Sequence, residues 1–145
     1  MKDYKKINYL VGRKAKLDVF ISPFSNKIVA FLDDLSKSLN NFNKKNLPDL
    51  KALSFFCRKN NISILKNKHF DPNSIRFGLG LLFHITPANI PTNFAYSLIF
   101  GLITGNSNIV KVPSKKFDQI NIICSSMNKI LKKKKYKLIR KMISI

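Results

Sequence analysis

Two prolines bracket an asparagine in the run Thr86-Pro87-Ala88-Asn89-Ile90-Pro91, directly after an apolar stretch of strand length, Phe77 to Ile85. If that stretch is a strand of a parallel sheet, Asn89 follows its carboxyl end, where ligand crevices form in open α/β sheets. Prolines on both sides leave the loop few conformations, so the amide is held with little further loss of entropy. A fixed side-chain NH₂ in such a crevice is a good oxyanion donor. The plain alternative is an asparagine that bonds its own loop, and spacing alone leaves both open. Lys111 ends a second apolar run and so belongs to the same edge. Ser114 then reads as the cap of a helix whose first turn holds Lys115 and Lys116. Positive charge there opposes the helix dipole. A docked anion would relieve it, because helix N-termini are natural phosphate sites. Solvated lysines in a lysine-rich chain are the alternative.

These residues sit in an unusual setting. No Asp, Glu, Lys or Arg occurs between Arg76 and Lys111, in a chain of 145 residues with a formal net charge of +20. A neutral block of that length is expected to be core, and polar groups such as Asn89 and Lys111 need a reason to be placed in one. The near-continuous apolar run Phe77–Ile85 fits a strand covered on both faces. Pro87 and Pro91 exclude regular structure after it. Thr92 or Asn93 can cap a helix over Phe94–Thr104, with Gly105 as its stop. Asn108–Val112 is the second strand, and an amphipathic helix follows. Strand, crossover helix and strand in that order make a βαβ unit, so the fold class is α/β with a parallel sheet.

Upstream, Leu17–Ile21 could be a short strand. After Pro23, a helical pattern runs through Ile28, Phe31, Leu32, Leu35 and Leu39 at spacings of three and four. Asn40–Asn46 is a polar loop, and Pro48 opens a second helix carrying Leu50, Leu53, Phe56 and Cys57 on one face. Asp71-Pro72-Asn73 is a turn and a boundary. It separates a mainly helical region, residues 1–75, from the α/β region, 76–145.

Other features point to less. Gly78-Leu79-Gly80 fails as a dinucleotide fingerprint, since Phe83 stands at the third glycine position and the glycines fall within the strand rather than after it. Close backbone packing is the simpler role. His84 has no serine or carboxylate nearby in sequence and reads as a core histidine bonded to backbone. Cys57 and Cys124 lie far apart with no metal spacing, as in a reduced cytoplasmic protein. Cys124 shares an apolar helical stripe with Phe117, Ile120, Met127 and Leu131, where thiols are inert. No metal is expected. The longest clean apolar piece, Phe94–Ile103, is about half the ~20 residues a membrane span needs. Met1–Lys6 is charged and precedes no apolar segment, unlike a signal peptide. Basic charge invites a nucleic-acid reading, but arginine appears only at Arg13, Arg58, Arg76 and Arg140. Lysine, asparagine, isoleucine and phenylalanine share A/T-rich codons, which explains the composition without a ligand. Arginine is the residue for bidentate phosphate and base contacts. Nucleic acid is therefore not the expected partner.

The run FHITPANIPTNFAYSLIFGLITGNSNIVKVPSK resembles the acyl-CoA reductase family of the aldehyde dehydrogenase superfamily, to which the fatty-acyl reductase of bacterial luminescence belongs. TPANIP is similar to the superfamily's Pro-x-Asn-x-Pro loop, and GNSNIVKVPS to its Gly-Asn…Lys segment. The likeness is strong over Gly78–Lys115 and looser over 116–131. It implies the first βαβ unit of a dinucleotide-binding, aldehyde dehydrogenase-like domain, incomplete in this chain, which then reads as the N-terminal third of a longer enzyme. By the same resemblance Asn89 is the oxyanion-hole asparagine. Ile85, Thr86, Pro87 and Ala88 are the backbone beside the nicotinamide, and Lys111 holds the adenosine ribose. Ser114 stands where NAD-preferring relatives carry a ribose-binding glutamate. With Lys115 adjacent and no carboxylate there, a 2′-phosphate is tolerated, so NADPH is the implied cofactor. The implied reaction reduces an acyl-CoA or acyl-protein thioester to an aldehyde through a cysteine thioester. The family's cysteine lies beyond this segment, so the chain alone is expected to be inactive. A homo-oligomer is possible for the full-length enzyme. The other reading is a non-enzymatic basic remnant that binds acidic partners such as nucleic acid.

Overall fold

The computed structural model describes residues 7–13, 19, 21–42, 47–69, 71 and 73–145. Three helices come first: α1 (Asn26–Asn40), α2 (Pro48–Phe56) and α3 (Lys59–His69). The α/β part follows as β1 (Leu81–Ile85), α4 (Asn93–Ile103), β2 (Ser107–Lys111), α5 (Asp118–Leu131), a 3₁₀ turn at Lys134–Tyr136, α6 (Lys137–Lys141) and β3 (Ile143–Ser144). The three strands form a parallel sheet in the order β1-β2-β3, with Leu81 opposite Ser107 and Asn108 opposite Ile143. The fold is α/β, as the pattern of elements predicts.

α1 forms because its apolar residues recur on one stripe. Ile28, Phe31, Leu32, Leu35 and Leu39 are all buried, and the Ser25 hydroxyl accepts from Ile28 N at the amino end. α1 packs on α2, α5, α3 and α4, so the helical region and the sheet share one core. The expected second helix starts at Pro48, and its Leu50 and Leu53 are buried. α3 has no counterpart in the sequence reading. Its Lys- and Asn-rich residues bury only Ile62 fully, so periodicity gives little signal. Leu17, Asp18 and Phe20 of the expected early strand lie outside the described residues, as do Asn43–Asn46 of the loop and Pro72 of the boundary turn.

α4 is the central helix. Phe94, Ala95, Leu98, Ile99, Leu102 and Ile103 are buried beneath α1 and over β1 and β2, each large side chain contributing about 1.5–3 kcal/mol of transfer free energy. Gly105 stops it at φ +86, and a Cβ there would lie 2.1 Å from Ile21 O, so only glycine fits.

The neutral block is not buried throughout. Its strand is shorter than Phe77–Ile85, and Gly78 and Gly80 precede it rather than lying inside it. Phe77 and Leu79 are exposed, and Phe83 and Ile85 are 62% and 73% exposed on the sheet face opposite α4. The helices cover only one face of β1, which corrects the expectation of a strand buried on both. β1 is also an edge strand, paired among the described residues only to β2. Apolar composition reports the faces a strand has available to cover, not those this structure covers.

Candidate functional site

Parallel strands β1 and β2 end side by side, with Ile85 opposite Lys111. Thr86 Oγ1 donates to Lys111 O at 3.4 Å, a long bond that ties the two ends together. The loop Pro87–Ile90 then rises from β1, and Asn89 is exposed on it. Its amide has no hydrogen-bond partner among the described residues, so the self-bonded loop is not what forms. Lys111 and Ser114 are likewise exposed at this edge. A hollow of about 330 Å³ lies beside them, lined by Pro113, Ser114, Lys115, Lys116, Phe117 and Asn121 among others. The Lys115 ammonium sits 5.1 Å from the centre of the Phe117 ring, a cation–π contact that holds it at the rim.

One element of the sequence reading changes here. α5 begins at Asp118 with Phe117 in the cap position, and Ser114 makes no cap. Lys115 and Lys116 therefore precede the helix, and its first turn carries an acid that complements the dipole. The misplaced positive charge does not exist. What remains at this edge is Lys115 and Lys116 around a hollow that no carboxylate lines. Lys111 and Asn89 were also expected as polar groups in a core; both are at the surface.

The polar residues that bond within the fold are others, Asn106, Ser107 and Asn108 buried and His84 and Ser97 half-buried. His84, on β1, has its Nε2 at 2.9 Å from Asn108 Oδ1 and its Nδ1 at 2.7 Å from Ser97 Oγ. Asn108 Nδ2 donates to Asn106 O at 2.7 Å. A carbonyl can only accept, so the amide nitrogen of Asn108 faces Asn106 and its oxygen faces His84. In the neutral ring Nε2 then carries the proton, and Ser97 donates to Nδ1. His84 is bonded to side chains of α4 and β2, not to backbone as expected. Its partners are 13 and 24 residues away, beyond any local pattern. Gly101 makes room for this cluster, since a Cβ there would stand 1.8 Å from Asn108 Oδ1. At the amino end of the sheet, Asn106 Oδ1 accepts from Gly80 N at 3.0 Å, and Ser107 Oγ donates to Val19 O at 2.7 Å.

Neither cysteine is exposed at this edge. Both are buried, and burial pushes each thiol up to about 12, leaving almost no thiolate near neutral pH. Among the described residues no group of three or more His, Cys, Asp or Glu converges as a metal site would require. No helix among them is long and apolar enough to cross a membrane.

The family model that matches this sequence is that of acyl-CoA reductase (LuxC), and it spans residues 21–144. No curated protein and no solved structure matches the chain significantly. The matched span takes in α1 through β3, and with it the Asn89 loop, Lys111 and the Ser114–Lys116 hollow. The chain belongs to the acyl-CoA reductase (LuxC) family.

Proposed function

We propose that this segment supplies the carbonyl-polarising and cofactor-holding part of an NADPH-dependent acyl thioester reductase of the aldehyde dehydrogenase type. The observation that carries the reading is the carboxyl edge of β1 and β2. It presents a free amide on the proline-bracketed loop after β1 and, on the segment after β2, a hollow lined by lysines and no carboxylate.

The donor set suits the phosphate-bearing end of the cofactor. Lys115 and Lys116 offer cations at the hollow, Ser114 a neutral hydroxyl, and Lys111 a further ammonium just before it. A glutamate at position 114 would repel a 2′-phosphate; serine does not. When bound, the nicotinamide supplies hydride. Ile85–Ala88 run as backbone along the side where that ring would lie, and Asn89 polarises the thioester carbonyl through its NH₂. The attacking thiol is neither Cys57 nor Cys124, both held protonated by burial. The chain alone therefore turns over no acyl-CoA.

Asn89→Ala tests this in an enzyme that carries the segment together with a reactive cysteine. Turnover falls by about a hundredfold or more while NADPH affinity stays within about twofold. Equal losses in both, or neither, would overturn the role.

A further inference from the structure

The amino edge of the sheet holds a second hollow that the reductase reading does not use. It measures about 800 Å³ and is lined by Arg13, Lys132, Arg140 and Lys141, with Gly12, Asn128 and Leu131 completing the wall. Four cations face one space, and no carboxylate lines it. Among the described residues none of the four forms an ion pair. The neighbouring lysines behave differently: Lys133 and Lys135 reach Asp34 at 2.9 and 3.1 Å. The acid available on that side is thus spent on Lys133 and Lys135, while Lys132 faces the hollow unpaired.

Helix ends explain part of this. Lys132 follows α5, and Arg140 and Lys141 close α6, where cations complement the dipole. Arg13 has no such reason to be there. It arrives on an N-terminal arm that lies along β3, with Leu10 N donating to Ile145 O at 2.6 Å and Ile145 N to Val11 O at 3.0 Å. Ser144 Oγ donates to Arg13 O, fixing the backbone at the arginine itself. Gly12 makes the approach possible: its φ is +73, and a Cβ would lie 2.0 Å from Ile143 O. Codon bias accounts for lysines in this chain, but it does not bring two of its four arginines, from segments more than a hundred residues apart, to one cavity. Like charges held together without a counter-ion repel. Guanidinium forks are suited to phosphate oxygens in pairs.

We propose that this hollow binds a small diphosphate-bearing molecule, at a site separate from the crevice at the carboxyl edge. Two phosphates match the charge and the spread of four cations better than one. A hollow of about 800 Å³ is of the size that takes a small ligand rather than an extended polymer.

The test titrates sodium pyrophosphate and, separately, inorganic phosphate into the 145-residue chain by calorimetry, at low salt so that screening does not mask the contacts. The expected result is one-to-one binding of pyrophosphate at least about tenfold tighter than phosphate. Arg13→Gln with Arg140→Gln weakens it about tenfold or more, whereas Lys51→Gln with Lys59→Gln leaves it unchanged. Should the arginine pair fail to fold, Lys132→Gln with Lys141→Gln serves the same purpose. Loss that tracks Lys115 and Lys116 would move the site to the other edge and overturn the proposal. So would equal loss on removing two remote lysines, Lys51 and Lys59, or no binding at all. A single-stranded oligonucleotide that displaces pyrophosphate and binds with the same sensitivity to every lysine pair would show general polyanion attraction instead, and would equally overturn it.

Discussion

The two ends of the β1–α4–β2 unit handle polar groups in opposite ways. At the amino end and along the α4 face, Asn106, Ser107, Asn108 and His84 complete their side-chain hydrogen bonds inside the protein. At the carboxyl end, Asn89, Lys111 and Ser114 are exposed. Burying an unbonded polar group costs about 1–3 kcal/mol, so the first set reports what holds the unit together. The second set is free to bond something else. A buried, satisfied asparagine is structural; an exposed, loop-fixed one is available. The chain uses both, only about twenty residues apart.

That contrast makes separable predictions. The largest effect is expected at Gly101→Ala. The new methyl displaces the Asn108 amide, breaking its bond to His84, and adds overpacking to two lost partners. Together these amount to about 3 kcal/mol or more, to be read as a lower denaturant midpoint of the chain. Ser97→Ala, which removes one bond without strain, should cost about 1 kcal/mol. If the two variants melt alike, the crowding at Gly101 is relieved elsewhere. Asn89→Ala is the counterpart at the other end: the turnover loss set out above with an unchanged midpoint.

Ser114→Glu comes next. A carboxylate at the hollow should weaken NADPH by about one to two powers of ten in a complete enzyme and leave NADH affinity as it was. An unchanged ratio of the two would place the 2′-phosphate elsewhere and reduce Lys115 and Lys116 to solvated charge.

The smallest effect concerns Asp34, which ties α1 to the turn before α6. Burial alone would raise its carboxyl, but hydrogen bonds from Lys133, Tyr136 and Lys135 hold it down at about 2, against an ordinary 3.8. A lowered folded value stabilises the protein above the ordinary one and loses that contribution as pH falls through the folded one. Denaturation midpoints of the native chain and Asp34→Asn should therefore differ at neutral pH and converge between pH of about 4 and 2. A constant difference across that range would mean the pair contributes nothing as an ion pair.

Much of this architecture could be read from residue order. The stripe of α1, proline at the head of α2, and Gly105 after α4 are local signals, and each element appears within a residue or two of its expected place. The candidate loop was also visible, because prolines and strand length act within a few positions. Long-range features were not. The partners of His84 come from α4 and β2, and β3 is two residues long, too short for any periodicity. Ser114 looked like a helix cap because serine before a polar run usually is one. The chain bends at Ser114 and Lys115 without entering a helix, and α5 starts with Asp118 after an extended Phe117. The bare face of β1 has the same origin: sequence marks Phe83 and Ile85 as apolar, but not which neighbours arrive to cover them.

The arm that carries Arg13 also bears on the order in which the molecule assembles. Its contact with β3 closes a loop of 131 residues, and closing one that long from a disordered chain costs about 4 kcal/mol in entropy beyond the fixed term. Three backbone bonds between Leu10–Val11 and Ile145, at about 1 kcal/mol each, offset most of that but not all. The arm must therefore wait until α1 through α6 have brought the two chain segments near each other. The arginine it carries thus joins the other three cations only after the rest of the fold has shortened that closure.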